Sequence, residues 1–371
     1  MEALPVPSNV PASAALPLMA VTIYDIAREA HVGIGTVSRC LNNHPSVSAK
    51  TRASVLAIAK RMDYYPHTYA RRLASRRTNT FAAIIPYFTN YFFVEVLQGI
   101  QEKASELGLD IIVYGVNHPT QAEEYLRRSL QRGHVDGVLF FSMRMPESYA
   151  ARFKQMKLPL VMVDTSHPEF DSLRVENREG ALEATRHLLS LGHRRIAMIN
   201  GSLETSPGSE RLEGFRLALA GYGVPYDEES VFISGLTKQD GFSKDSGRES
   251  MKRLLNGERD RTPYTAVFIA SDIQALGALE VARERGVRVP GDIALIGFDD
   301  IELSQHAGLT TMRQPMRQMG LLAMEHLVDR IANPDLPPAL TMFHPDLIIR
   351  ETCGAVAGKG LADAQQAGAG R

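Results

Sequence analysis

The sequence predicts two architectures in one chain: an all-α helix-turn-helix headpiece at the N-terminus, then an α/β body built from two parallel-sheet subdomains. Three observations predict this. Residues 22–43, TIYDIAREAHVGIGTVSRCLNN, set two short helical patterns about a tight turn. From about residue 80, short apolar runs alternate with amphipathic stretches, the pattern of buried strands separated by helices. The net charge of −1 conceals a division: residues 20–80 hold ten Lys/Arg against three Asp/Glu, or +7, and the rest holds 31 against 39, or −8. A basic module on an acidic body is expected where one segment meets phosphates and the other does not.

Taken in order, residues 1–19 contain four prolines and no Lys or Arg, and read as a disordered tail. They lack the basic start of a signal peptide, and Met19, just before the headpiece, is a plausible start of translation. The headpiece spans 20–66. Thr22 and Asp25 form a T-x-x-D capping box, and Ile23, Ile26, Ala27 and Ala30 share one helical face. His31-Val32-Gly33 supplies the turn, and Thr36, Val37 and Leu41 carry the second helix. Thr36, Ser38 and Arg39 project from its other side, beside the small Gly35. A short helix held at an angle by a partner fits a DNA major groove; an ordinary αα-hairpin with a solvated face is the plainer reading. A third helix starts at Ser48 and runs through Val55, Ile58, Ala59 and Met62.

Residues 67–79, HTYARRLASRRTN, form a basic connector. A helix this short is marginal alone in water, and Arg71, Arg72, Arg76 and Arg77 repel one another. The segment is therefore expected to fold only against phosphates and a partner chain. Leu73 sits among these charges. An apolar wedge flanked by arginines is how minor-groove proteins kink DNA; the alternative is that Leu73 packs on the headpiece.

The body, 80–353, shows apolar runs at 81–86, 110–115, 137–141, 158–164, 195–200, 266–270 and 293–299, with helical patterns such as 93–107, 178–191, 272–285 and 316–332. So long a stretch exceeds one comfortable core, so two sheets are expected. Residues 354–371 are Gly/Ala-rich, lack a leucine heptad and read as a disordered tail. Cys40 and Cys353 suggest no disulfide framework and fit a reducing cytoplasm. No run approaches a membrane span.

The body has no convincing nucleophile, acid–base pair, metal spacing or phosphate loop, so neither an enzyme nor a cofactor is expected. Gly33-Ile34-Gly35 echoes a dinucleotide fingerprint but lacks a preceding strand. Polar residues at strand ends are better candidates, because ligands of open α/β sheets sit beyond the carboxyl ends of strands. Asp164, Ser271, Asp272 and Asp299 stand there, and Arg211 opens a helical stretch. For Asp272 and Asp299 the plainer reading is that each caps the following helix.

The pieces T22-I-Y-D-I-A27, T36-V-S-R39 with Asn42, V47-S-A-K-T-R52, Y64-Y-P66, A70-R-R-L73 and R350-E-T352 resemble the lactose-repressor/purine-repressor (LacI/GalR) family. The resemblance covers nearly the whole chain, and His193 lies in a stretch, L-G-H-R-R-I, similar to a structural signature of that family. It implies a body like periplasmic sugar-binding proteins, with three crossovers placed here near 175, 310 and 337. It implies base reading by Ile34, Gly35 and Arg39. Arg39 suits a guanine, Ile34 offers only apolar surface, and Gly35 cannot read a base edge. Gly33 departs from the family's usual serine. Tyr24, Thr36, Ser38, Asn42, Ser48 and Thr51 are expected near the DNA backbone, Arg71, Arg72 and Leu73 at the centre of the site. Phe92 and Phe93 match positions that stack on ligand rings; Asp164, Arg211, Ser271, Asp272 and Asp299 match positions lining a ligand cleft. The implied protein is a cytoplasmic homodimeric repressor of a pseudo-palindromic, double-stranded operator. A small molecule controls it, a sugar by preference and a purine as the alternative. A transport solute-binding protein and an enzyme of sugar metabolism are the rival classes.

Overall fold

A computed structural model describes residues 21–41, 44–64, 77–87, 89–235, 238–256 and 264–355, and the chain divides into two compact units between Arg77 and Thr78. The first unit holds three helices, α1 (Ile23–Glu29), α2 (Ile34–Leu41) and α3 (Ala49–Arg61). Each contributes two side chains to one small core: Ile26 and Ala27, Val37 and Cys40, Val55 and Ala59. The expected start of α1 is present, with the Asp25 carboxylate accepting both the Thr22 N–H, at 2.9 Å, and the Thr22 hydroxyl, at 2.6 Å. His31 ends the helix in a left-handed conformation, φ 52°, and the Val32 N–H returns to the Ala27 carbonyl.

The second unit contains two six-stranded sheets. In the first, β1 (Thr80–Pro86), β2 (Asp110–Val116), β3 (Gly137–Phe141), β4 (Leu160–Val163), β5 (Asp171–Val175) and β11 (Leu340–Phe343) lie in the order β11-β5-β4-β3-β1-β2. In the second, β6 (Ile196–Asn200), β7 (Val231–Ile233), β8 (Ala266–Ile269), β9 (Ala294–Asp299), β10 (Thr311–Arg313) and β12 (Asp346–Ile348) lie in the order β12-β10-β9-β8-β6-β7. Every pairing is parallel except β10 with β12.

The period of two along each strand distributes side chains between two helical layers. Phe81, Ala83 and Ile85 of β1 face α4 (Tyr91–Leu107) and α12 (Met316–Ala332), while Ala82 and Ile84 face α5 (Pro119–Ser129) and α6 (Glu147–Met156). In the second sheet, Ile196 and Met198 face α7 (Asn177–Ser190) and α8 (Ser206–Gly221). Ala197 and Ile199 face α9 (Lys244–Asn256) and α10 (Asp272–Glu284). Three pairs of helices cross almost backbone on backbone, α4 with α12, α7 with α8 and α9 with α10. A Cβ at Gly99 of α4 would lie 2.0 Å from the Arg317 carbonyl oxygen, and one at Gly320 of α12 2.0 Å from that of Val96.

The chain passes between the sheets three times, after β5 at Glu176, between β10 and α12 at Gln314-Pro315, and between β11 and β12 at His344-Pro345. The first passage is where the sequence places it. The second and third lie beyond the expected 310 and 337, because β10 and β11 precede them. These strands have only three and four residues, and β11 is partly exposed, so neither forms an apolar run.

Candidate functional site

Two surfaces carry the candidate residues, one in each unit. On α2, burial of Val37 and Cys40 fixes the helix's rotation and leaves Ile34, Gly35 and Arg39 on the outward face, with Thr36 and Ser38 half-buried beside them. The three expected base-reading positions thus share one exposed face. Gly33 cannot cap with a side chain; its carbonyl accepts the N–H groups of Thr36, at 2.8 Å, and Val37, at 3.1 Å. A Cβ at Gly35 would lie 3.8 Å from Nη2 of Arg39, so the guanidinium folds back along the bare first turn. Tyr24 is 63% exposed on α1. The Ser48 hydroxyl accepts the Thr51 N–H at 3.1 Å, and the two hydroxyls lie 2.8 Å apart, so this pair caps α3. Asn42, Arg71, Arg72 and Leu73 lie outside the described residues.

The second surface is a cleft between the two sheets of the body, at the carboxyl ends of β1, β3, β4, β8 and β9. Phe92, Phe93 and Asp164 line it from the first subdomain, Arg211, Ser271 and Asp299 from the second. Phe92 and Phe93 meet edge to face, centroids 5.3 Å apart, and Phe93 leans on Phe141. Asp164 receives the Ser142 hydroxyl at 2.6 Å. Burial pushes its carboxyl up to about 6, against the opposing pull of Ser142 and Arg211. Arg211 is 4% exposed. Its Nε donates to Asn177 at 2.9 Å, its Nη1 to the Ala270 carbonyl, and its guanidinium carbon lies 3.8 Å from the centroid of Phe298. Nη1 also lies 3.9 Å from Asp299. Burial lowers the pKa of Arg211, and the charges of Asp299 and Asp164 counteract this. Ser271 caps α10 through the Gln274 N–H while its edge meets the cleft.

Asp299 and Asp300 both have positive φ, 128° and 60°, a strained arrangement for non-glycine residues. The two carboxylates find different partners. Asp299 accepts the Gln314 amide at 2.6 Å, and Asp300 pairs with Arg313 and Arg350, each at 2.7 Å. Burial raises the Asp299 carboxyl, opposed by Arg211 and reinforced by Asp272.

Asp272 departs from the expected role. It has no exposed surface and does not line the cleft. Its carboxylate accepts four bonds: the Asp300 N–H (2.7 Å), the Ile301 N–H (3.2 Å), the Ser304 hydroxyl (2.6 Å) and the Thr311 hydroxyl (2.6 Å). Ligand contact is thereby corrected to support of the turn that joins Asp299, at the end of β9, to the short helix α11 (Glu302–His306). A Cβ on Gly297 would sit 2.1 Å from its Oδ1, so that glycine makes room for it.

Comparison with known proteins reaches both units of the chain. Residues 22–67 match the model of "bacterial regulatory proteins, lacI family" and residues 185–353 that of a periplasmic binding protein-like domain. The HTH-type transcriptional regulator DegA of Bacillus subtilis is 36% identical over 81% of this chain and 89% of its own length. The chain belongs to the LacI family. The HTH-type transcriptional regulator CelR of Thermobifida fusca is 34% identical over 89% of this chain and 98% of its own length. Among solved structures, a lac repressor dimer bound to operator and the anti-inducer ONPF aligns with TM-score 0.78, 26% identity, and coverage of 91% and 100%. A CelR–cellobiose complex aligns with TM-score 0.66, 32% identity, and coverage of 90% and 99%. As a member of this family the protein is a transcriptional regulator with a helix-turn-helix headpiece and a periplasmic-binding-protein-like body.

The LacI-family body also places residues at the cleft that sequence reasoning missed: Tyr87, Asn90, Ser142, Asp240, Phe242 and Gln314. Ser142 directly follows β3, so the strand-end argument that found Asp164 applied equally to it. Gln314 stands on the second crossover, and Asp240 in a short irregular segment with φ 50°; no periodic signal marks either. The R350-E-T352 motif proves structural. Arg350 binds the Leu309 carbonyl and Asp300, and Thr352 donates to Leu295 and accepts from the Thr310 N–H. His193 likewise meets Thr265 at 2.9 Å, remote from the cleft.

Proposed function

We propose that this chain is a ligand-controlled repressor that acts as a homodimer in the cytoplasm, on a pseudo-palindromic double-stranded operator. Ile34 and Arg39 read base edges, Gly35 reads none, and Tyr24, Thr36, Ser38, Asn42, Ser48 and Thr51 hold the backbone. The hinge segments, 67–79, meet at the operator's centre, where Leu73 of each chain wedges into the minor groove, flanked by Arg71 and Arg72 on one side and Arg76 and Arg77 on the other. A sugar, with a purine as the alternative, occupies the cleft against Phe92 and Phe93. Asp164, Arg211, Ser271 and Asp299 hold its polar groups, Asp272 keeps Asp299 in place, and no reaction is catalysed. Binding changes the angle between the subdomains and so the separation of the two hinges. A coupling of about 1–3 kcal/mol is enough for a useful switch.

The observation that carries this reading is the convergence of Asp164, from one subdomain, with Arg211 and Asp299, from the other, beside an aromatic wall. A ligand bridging those groups binds one inter-subdomain angle better than others, and that differential affinity is what a switch requires. The test pairs two assays on the full chain. Selection from random duplexes should return a two-fold symmetric site, and a thermal-shift screen of sugars and purines should find a ligand that raises the melting temperature. An asymmetric site, or no ligand of either class, contradicts the proposal.

A further inference from the structure

Three aspartates and a single arginine line the cleft among the described residues, and we propose that it selects a ligand that donates, a neutral or aminated hydroxyl-rich sugar, and rejects phosphorylated or carboxylated ones. This rests on the cleft being the effector site. A carboxylate offers about four acceptor directions and no donor. Asp164 has one donor among the described residues, the Ser142 hydroxyl, and that uses the only proton Ser142 has. Asp299 has two, the Gln314 amide and the Asp272 N–H at 3.4 Å. Asp240, from the irregular segment after β7, adds a third carboxylate to the lining.

Gln314 supplies an independent observation. It is 3% exposed, lines the cleft, and its Oε1 has no partner although its Nε2 is engaged. A buried carbonyl oxygen without a donor is costly, and a hydroxyl or ammonium of a ligand in the cleft would satisfy it. Positive charge is scarcer than negative. Arg211 is the one cation lining the cleft among the described residues, and its Nε and Nη1 are already given to Asn177 and Ala270. A phosphate or carboxylate would bring acceptors to acceptors and negative charge to the carboxylates of Asp164 and Asp240. A polyol brings a donor for each vacancy.

The test is calorimetric titration of the full chain with matched sets: neutral mono- and disaccharides, their 2-amino derivatives, their 6-phosphates and their uronic acids. A neutral or aminated sugar should bind, with its phosphorylated or carboxylated counterpart weaker by about tenfold or more. Asp164→Asn and, separately, Asp240→Asn should shift the ratio of the two affinities toward the anion. An anionic sugar binding as tightly as its neutral parent overturns this proposal and leaves the effector reading standing. No binding by sugars of any charge overturns the sugar reading and the proposal together. An affinity ratio unmoved in both folded variants also overturns it, since the aspartates would then not be the source of selectivity.

Discussion

At the scale of single residues, two groups have separable consequences. Arg39 stands on the exposed face of α2 beside a glycine that contributes no side chain. In the proposed reading, most of the polar readout therefore falls to one guanidinium. Arg39→Ala should weaken operator binding by roughly 1–3 kcal/mol while changing affinity for random DNA much less; equal losses, measured by fluorescence anisotropy on both duplexes, would mean that Arg39 touches phosphate only. Asp164 governs the acid limb of the pH dependence. Burial pushes its carboxyl up to about 6, opposed by Ser142, Arg211 and Arg174 and reinforced by Glu210. A ligand hydroxyl that donates to Asp164 favours the ionised form. Through Asp164, affinity should fall as the pH drops through about 6. Calorimetric titration of a neutral ligand from pH 8 to 5 checks the sign, and affinity that rises on acidification contradicts it. Residue-scale legibility was uneven for a physical reason. Asp164, Ser271 and Asp299 were visible because a strand's carboxyl end is a recognisable place. Whether an aspartate there faces the cleft or the loop beneath it depends on backbone turns at Asp299 and Asp300 that leave no trace in composition.

At the scale of elements, helix packing and loop support limit what the fold tolerates. Gly320→Ala places a methyl carbon 2.0 Å from the Val96 carbonyl oxygen, so α12 must move away from α4. A loss of about 1–3 kcal/mol is expected from such overpacking, read as a lowered urea midpoint; an unchanged midpoint would show that the two helices separate without cost. Asp272→Ala leaves two backbone N–H groups and the hydroxyls of Ser304 and Thr311 without their acceptor. Each buried unsatisfied group costs about 1–3 kcal/mol, so this variant should be destabilised more than Gly320→Ala and should also lose ligand affinity, because Asp299 rides on the same loop. Unaltered ligand affinity in folded Asp272→Ala would detach the loop from the cleft. Long amphipathic helices and fully buried strands were readable from periodicity: 93–107, 178–191, 272–285 and 316–332 all fall on α4, α7, α10 and α12 within a few residues. The strands β5, β7, β10, β11 and β12 were not, since Asp171, Ser172 and Arg174 break up β5 and the other four, with three or four residues each, carry neither an apolar run nor a clear alternation.

At the scale of the whole molecule, the division of charge and the division of structure coincide. The basic stretch belongs to the helical unit and the connector, and the acidic remainder to the two-sheet body that holds the cleft. One chain thus joins a surface suited to phosphates with a cleft suited to a small polar ligand, and the claim that matters is that the second controls the first. Leu73 is the proposed link. Leu73→Ala should leave ligand binding intact, reduce operator affinity and DNA bending together, and shrink the response to ligand, since smooth bending still costs of order 1–6 kcal/mol without the wedge to offset it. The most direct measurement is the operator dissociation constant of the unaltered chain with and without a saturating cleft ligand, at fixed salt. The account predicts a change of at least about fivefold, the lower end of ordinary allosteric coupling, together with a reciprocal change in ligand affinity when operator is present. Tight ligand binding that leaves the operator dissociation constant unchanged would contradict it.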